Sequence, residues 1–117
     1  MIGIIDYEAG NLGSVINACH FLTLDAKVIS QPSELAGCHA IILPGQGAFG
    51  DCMTNLRKAG FEQPVKEWIA AGRPFFGICV GLQALYEGSE ESPGVPGLGI
   101  LPGTIRRFKD QPDLKVP

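Results

Sequence analysis

Phe75-Phe76-Gly77-Ile78-Cys79-Val80-Gly81 is the stretch that decides the fold. Its apolar half, Phe75–Ile78, reads as a strand, the fourth of the chain, and it passes straight into a Gly-x-Cys-x-Gly turn. Helical character resumes from Leu82 to Glu87. Moving upstream, Phe61–Ala71 reads as a helix with Pro64 in its first turn, Val65, Trp68 and Ile69 on one face, and Gly72 ending it. A further helix spans Cys52–Ala59, ends at Gly60, and has Asp51 placed to cap it or to charge-stabilise its start. Ala40-Ile41-Ile42-Leu43 is a strand stopped by Pro44-Gly45-Gln46-Gly47. Gln31–Glu34 reads as a turn able to start a short helix, and Ala26–Ile29 as a strand. Leu12, Val15, Ile16, Cys19 and Leu22 recur at three- and four-residue steps, which is one helix face, and Ile2–Ile5 is the first strand, closed by Asp6.

Downstream the pattern weakens. Ser89–Gly94 is loop-like, Gly99–Leu101 and Thr104–Phe108 read as short extended pieces, and Lys109–Pro117 has no periodicity. Strands alternating with helices imply right-handed crossovers and a parallel sheet with helices on both faces, an α/β fold. Sites in such sheets form at the carboxyl ends of the strands. Three loops qualify here: Asp6–Asn11, Pro44–Gly50 and Gly77–Gly81.

Composition narrows the function classes. The chain has 117 residues, 45% hydrophobic and 18% charged, enough for one domain with a sizeable core. A net charge of −3 argues against a nucleic-acid surface or a polybasic membrane anchor. No apolar stretch is long enough to span a bilayer and no signal peptide is visible, so a cytoplasmic protein is expected. The four cysteines, Cys19, Cys38, Cys52 and Cys79, form no CxxC pair, so neither a metal site nor a disulfide framework is suggested. No cofactor is expected either, since the glycine loop lacks the G-x-G-x-x-G fingerprint of dinucleotide sites. Cys19 is expected in the core and His20 on the surface, whereas Cys38 and Cys52 lie near loops, where access is expected.

The Cys79 turn has the spacing of a nucleophile elbow. A tight strand-to-helix turn strains the nucleophile's backbone and stands its side chain above the sheet, while the flanking glycines admit neighbouring segments. A helix beginning here is expected to lower the thiol pKa from about 8.5. The Val80 N–H is a candidate oxyanion donor, and Gly45-Gln46-Gly47 could supply another. Read alone, Cys79 could also be an inert cysteine closing an apolar strand, and Pro44–Gly47 an ordinary turn. No base is offered to the nucleophile: His20 lies on the first helix, and His39 precedes the third strand, at the wrong end of the sheet.

Gly77-Ile78-Cys79-Val80-Gly81-Leu82-Gln83 resembles the nucleophile motif of class I, triad-type glutamine amidotransferases, whose sheet is flavodoxin-like. Within that class, Ile5-Asp6-Tyr7, Gly10-Asn11-Leu12, Ser14 and Leu43-Pro44-Gly45-Gln46-Gly47-Ala48-Phe49-Gly50 resemble the glutaminase subunits of imidazole glycerol phosphate synthases. Gly97-Leu98-Gly99, Pro102-Gly103, Arg107-Phe108 and the closing Lys115-Val116-Pro117 continue the likeness. The pyridoxal phosphate synthase glutaminases differ in their glycine loop, which is followed by Glu-Ser-Thr.

The resemblance implies that Cys79 attacks the side-chain amide of L-glutamine, forms a glutamyl thioester and releases ammonia. It implies an oxyanion hole from Val80 with Gly45, Gln46 and Gly47, and a substrate-holding role for Gln83. It implies that Tyr7, Gly10 and Asn11 face a (β/α)8-barrel cyclase subunit. Ammonia would pass through that barrel to give imidazole glycerol phosphate and the purine precursor AICAR in histidine biosynthesis. Two departures accompany it. The family usually carries Val where Gln46 stands, and its members run to nearly twice this length, with the catalytic His and Glu near the far end. Residues 1–117 therefore read as a truncated, amino-terminal part of a single amidotransferase domain, inactive on its own. The other readings are a non-catalytic pseudo-glutaminase interaction module and another Cys-elbow amidotransferase or hydrolase.

Overall fold

The computed structural model describes residues 1–115; Val116 and Pro117, and with them the end of the Lys115-Val116-Pro117 likeness, lie outside the described residues. Four strands form the main sheet: β1 (Ile2–Ile5), β2 (Ala26–Ile29), β3 (Ala40–Leu43) and β4 (Phe75–Gly77). Their order is β2-β1-β3-β4, and every pairing is parallel. The bounds of the first three strands are those the sequence implies. Their β-branched runs end sharply, at Asp6, Ser30 and Pro44, so little can blur them.

Helix α1 (Leu12–Phe21) returns the chain from β1 to β2, and a 3-10 helix (Pro32–Gly37) from β2 to β3. Asn11 caps α1, its side-chain oxygen accepting from the Ser14 N–H at 3.2 Å. Two helices, α2 (Phe49–Lys58) and α3 (Glu62–Ala70), fill the crossover from β3 to β4. Gly60 and Gly72, with φ of 80° and 74°, end them as expected.

Register fixes the two faces of the sheet. Ile4 lies opposite Val28 and Ile42, and Ile42 opposite Phe76, so these side chains share one face, the one carrying α1. Ile5, Ile29, Ile41 and Leu43 point the other way, into a cluster with Phe49, Met53 and Leu56 of α2, Phe61 ahead of α3, and Val65 and Trp68 of α3. Helices thus cover both faces, as expected, but the α2/α3 face holds most of the core.

Several boundaries differ from the sequence reading. Helix α2 starts at Phe49 rather than Cys52, because Phe49 is fully buried and draws the first turn onto the sheet. Its cap is therefore Ala48; Asp51 sits in the first turn and favours the helix by charge alone, as Arg57 and Lys58 do in the last. Helix α4 covers Val80–Gln83 instead of Leu82–Glu87. It stops early because the Ala84, Leu85 and Tyr86 carbonyls accept from Leu98, Ile100 and Gly99, at 2.7, 2.8 and 3.1 Å, instead of continuing a helical ladder. Of the downstream extended pieces only β6 (Thr104–Ile105) is a strand; it pairs in parallel with β5 (Gly88–Ser89), which lies in sequence that reads as loop.

Candidate active site at the strand ends

The three loops singled out by sequence do converge. Cys79 follows β4 with φ 54° and ψ −115° and is exposed. A non-glycine residue in that region carries strain of about 1–3 kcal/mol, which persists only where the surroundings enforce it. They do so here. A Cβ on Gly77 would meet the Gly81 carbonyl group at 2.8 Å, and one on Gly81 would run into the Leu43 carbonyl oxygen. Both positions admit only glycine, and the turn they allow lifts Cys79 out of the sheet.

The glycine loop after β3 touches this elbow. A Cβ on Gly45 would lie 2.6 Å from the Gly81 nitrogen and 2.9 Å from Val80 Cβ, so Gly45 packs directly on the first turn of α4. Gln46 and Gly47 are exposed beyond it, Gly47 with φ 94°. Val80 is buried and supplies the backbone amide next to Cys79. Gln83, one helical turn beyond Cys79, is half-buried and lines a cleft of about 660 Å³ with Ser89, Glu91, Ile105 and Arg107. Gly10, with φ 101°, approaches from the β1 loop: a Cβ there would sit 3.0 Å from Pro44 Cβ.

Other expectations change. Tyr7, expected to face a partner, is 3% exposed, and its hydroxyl donates to the Pro44 carbonyl beneath the glycine loop. Its side chain is unavailable to a partner. Asn11 is exposed, with its amide oxygen engaged as the α1 cap. Cys38 and Cys52 are buried rather than accessible, and burial pushes both thiols up. Cys19 is buried and His20 exposed, as the helix periodicity implies.

Neither histidine approaches Cys79. His39 precedes β3 and lies 2.6 Å from the amino-terminal nitrogen, at the starting ends of the strands. His20 is in the last turn of α1, which runs back toward the start of β2. Among the described residues no group of three or more His, Cys, Asp or Glu side chains is placed to hold a metal ion. Among them too, no helix is long and apolar enough to cross a membrane.

Residues missed by sequence reasoning complete the site. Cys52 donates its thiol to the Gln46 carbonyl at 3.4 Å. The Ser92 hydroxyl accepts from the Gly50 N–H at 2.8 Å, tying the 92–97 loop to the start of α2. A cysteine three residues into a helix and a serine in a polar loop carry no periodic signal that would reveal either contact.

Comparison with known proteins identifies the family. Residues 20–113 match the family of CobB/CobQ-like glutamine amidotransferase domains. The imidazole glycerol phosphate synthase subunit HisH of Nostoc punctiforme is 47% identical over 117 residues, covering 100% of this chain and 55% of that protein. The imidazole glycerol phosphate synthase hisHF of Emericella nidulans is 46% identical over 107 residues, covering 92% of this chain and 19% of that one. A solved crystal structure of a glutamine amidotransferase superposes with a TM-score of 0.76 at 27% identity, covering 91% of this chain and 56% of that one. The chain thus spans about half the length of the HisH relatives it matches. By family match and fold it belongs to the CobB/CobQ-like glutamine amidotransferases, and the relatives it resembles along its whole length are HisH subunits of imidazole glycerol phosphate synthase.

Proposed function

We propose that residues 1–117 are the amino-terminal part of one glutamine amidotransferase domain and carry its nucleophile. Cys79 Sγ, as thiolate, attacks the glutamine side-chain carbonyl carbon. The C–N bond breaks, ammonia leaves with a proton supplied by a general acid, and a glutamyl thioester remains. Water then adds to the thioester, giving glutamate and restoring the thiol. The developing oxyanion is met by the Val80 N–H and the Gly45–Gly47 backbone, and Gln83 holds substrate in the adjoining cleft. Gln46, which stands where the family usually has Val, contributes through its backbone. Ammonia passes to a (β/α)8-barrel cyclase partner, which makes imidazole glycerol phosphate and AICAR. Gly10 and Asn11 stand at the rim that would face that partner.

The observation that carries this reading is the strained, exposed Cys79 with the glycine loop packed on its elbow. The relatives' names support the pathway. The position of both histidines at the opposite end of the sheet implies that the proton-transferring base comes from outside residues 1–117. It also favours a second reading, a non-catalytic module, if no such base exists.

An electrophilic glutamine analogue decides between them in the full chain. Cys79 is expected to be labelled first, since Cys19, Cys38 and Cys52 are buried, and labelling should abolish ammonia release. The 117-residue polypeptide alone should lack glutaminase turnover. Labelling spread evenly over the four cysteines, or sparing Cys79, would overturn the reading. A full chain that labels at Cys79 but never releases ammonia, even with the cyclase, would favour the module.

A further inference from the structure

Two buried side chains outside the elbow grip the Pro44–Gly47 loop from below. Tyr7, just past β1, donates its hydroxyl to the Pro44 carbonyl. Cys52, in the first turn of α2, donates its thiol to the Gln46 carbonyl at 3.4 Å. Each side chain is 3% exposed, so neither donor has water as an alternative partner. The tethered carbonyls alternate along the loop, on either side of Gly45, which itself lies against Val80 and Gly81 with its Cβ direction 3.0 Å from the Tyr7 hydroxyl. The loop is thus held from two sides, by the segment just past β1 and by α2, while its third side meets the nucleophile's turn.

Peptide groups are planar and trans, so drawing a carbonyl inward turns the following N–H, here of Gly45 and of Gly47, to the opposite side. Beside an oxygen that becomes anionic, a carbonyl oxygen repels and an N–H stabilises. We propose that Tyr7 and Cys52 are positioning residues that keep the Pro44 and Gln46 carbonyls turned into the core and so hold the glycine loop in the arrangement acyl transfer at Cys79 requires. The functional half of this rests on Cys79 being the nucleophile; the tether itself does not. Burial pushes both the Tyr7 hydroxyl and the Cys52 thiol up, which keeps both protonated, and therefore donors, at neutral pH.

The test uses the full chain with Cys52→Ala, Cys52→Ser and Tyr7→Phe, and reads two quantities. The backbone N–H order parameter of Gly47 reports the tether, and the rate at which an electrophilic glutamine analogue labels Cys79 reports its consequence. Cys52→Ala should drop the Gly47 order parameter toward the flexible range, below about 0.6. It should also slow Cys79 labelling by about fivefold, roughly the worth of one neutral hydrogen bond. Tyr7→Phe should slow labelling to a similar or smaller extent. Cys52→Ser, which keeps a donor at nearly the same volume, should restore both. A Gly47 as rigid in Cys52→Ala as in the parent, or a serine variant no better than alanine, would overturn the proposal, the latter by showing that volume rather than the donor matters. If Cys79 is not labelled even in the parent, the nucleophile reading fails, and Gly47 still decides the tether.

Discussion

Among the described residues the two faces of the sheet are covered unequally. Toward α2 and α3, Ile5, Ile29, Ile41 and Leu43 are at most 1% exposed and meet fully buried Phe49, Met53, Phe61 and Val65. That face is also fastened by polar contacts at its margin. Arg57 Nε meets Glu62 at 2.7 Å and its guanidinium donates to the Pro96 carbonyl, also at 2.7 Å. Arg73 lies 3.5 Å over the Trp68 ring and donates to the Cys38 carbonyl. Toward α1 the described residues cover the sheet only in part. Ile4, under the helix, is fully buried, but Phe76 on β4 is 62% exposed and Leu22 at the end of α1 is 61% exposed. Between them runs an open, largely apolar groove of about 350 Å³ lined by Val15, Cys19, Leu22, Ile42, Phe76 and Ile78. The site loops rest on the sealed face, through Phe49, Cys52 and Tyr7.

The largest effect expected from this asymmetry is on the sealed face. Phe61 is fully buried between α2 and α3, and Phe61→Ala removes its transfer free energy and leaves a cavity the two helices close only partly. A loss of about 3–5 kcal/mol is expected, a large share of a small domain's stability. Urea unfolding should show it as a lower midpoint with little change in slope. A loss below about 1 kcal/mol would mean that this face is not the rigid one.

Most of the main sheet and the elbow were legible in the sequence, whereas the unequal cover of the two faces was not. Short runs rich in Ile and Val with abrupt stops placed β1, β2 and β3 to the residue, and the Gly-x-Cys-x-Gly order placed the elbow because a tight strand-to-helix turn leaves room only for glycine two residues either side of the cysteine. The apolar stripe of α1 was read correctly as a stripe, but periodicity reports which side chains share a face, not whether that face is covered. Leu22 belongs to the stripe and remains exposed. Helix starts were missed where a tertiary contact sets them, at Phe49 for α2 and at the strained Cys79 for α4. Tyr7 was misplaced because an aromatic residue in a loop has no periodicity to say which way it points. Its partner, the Pro44 carbonyl, is 37 residues away.

On the open face the expected effect on stability is small and its sign on solubility is opposite. Phe76→Thr exchanges one strand-favouring residue for another on β4 and removes a ring that buries little. Stability should change by no more than about 0.5 kcal/mol. Self-association of the 117-residue chain, driven by the open groove and by the edge of β4 that has no partner strand among the described residues, should fall when measured by sedimentation. A destabilisation above about 2 kcal/mol would show that Phe76 is covered in solution and that the two faces are more alike than they look.

The smallest effect concerns the margin of the sealed face, where the 3-10 helix carries the chain from β2 to β3 and buries Leu35. Glu34 accepts from the backbone N–H groups of Ser30 and Gln31 at 2.8 and 3.0 Å, and these bonds hold its carboxyl below the ordinary value of 4.5, with Lys27 at 3.7 Å adding a weaker pull. Because the folded pKa lies below the unfolded one, the carboxylate's contribution is fully present above about pH 4.5 and disappears as the pH falls through the folded value. Glu34→Gln keeps an acceptor oxygen but not the charge. The variant should therefore be slightly less stable than the parent at neutral pH, and the gap should close on acidification rather than widen. Salt distinguishes the two sources of the shift: the Lys27 pair is exposed and screened, whereas hydrogen bonds from adjacent backbone amides are short-ranged and persist. Unfolding curves for parent, Glu34→Gln and Lys27→Met at several pH values and two salt concentrations separate them. A gap that vanishes in salt at neutral pH, or that Lys27→Met reproduces in full, would show that the ion pair and not the backbone amides fastens this margin.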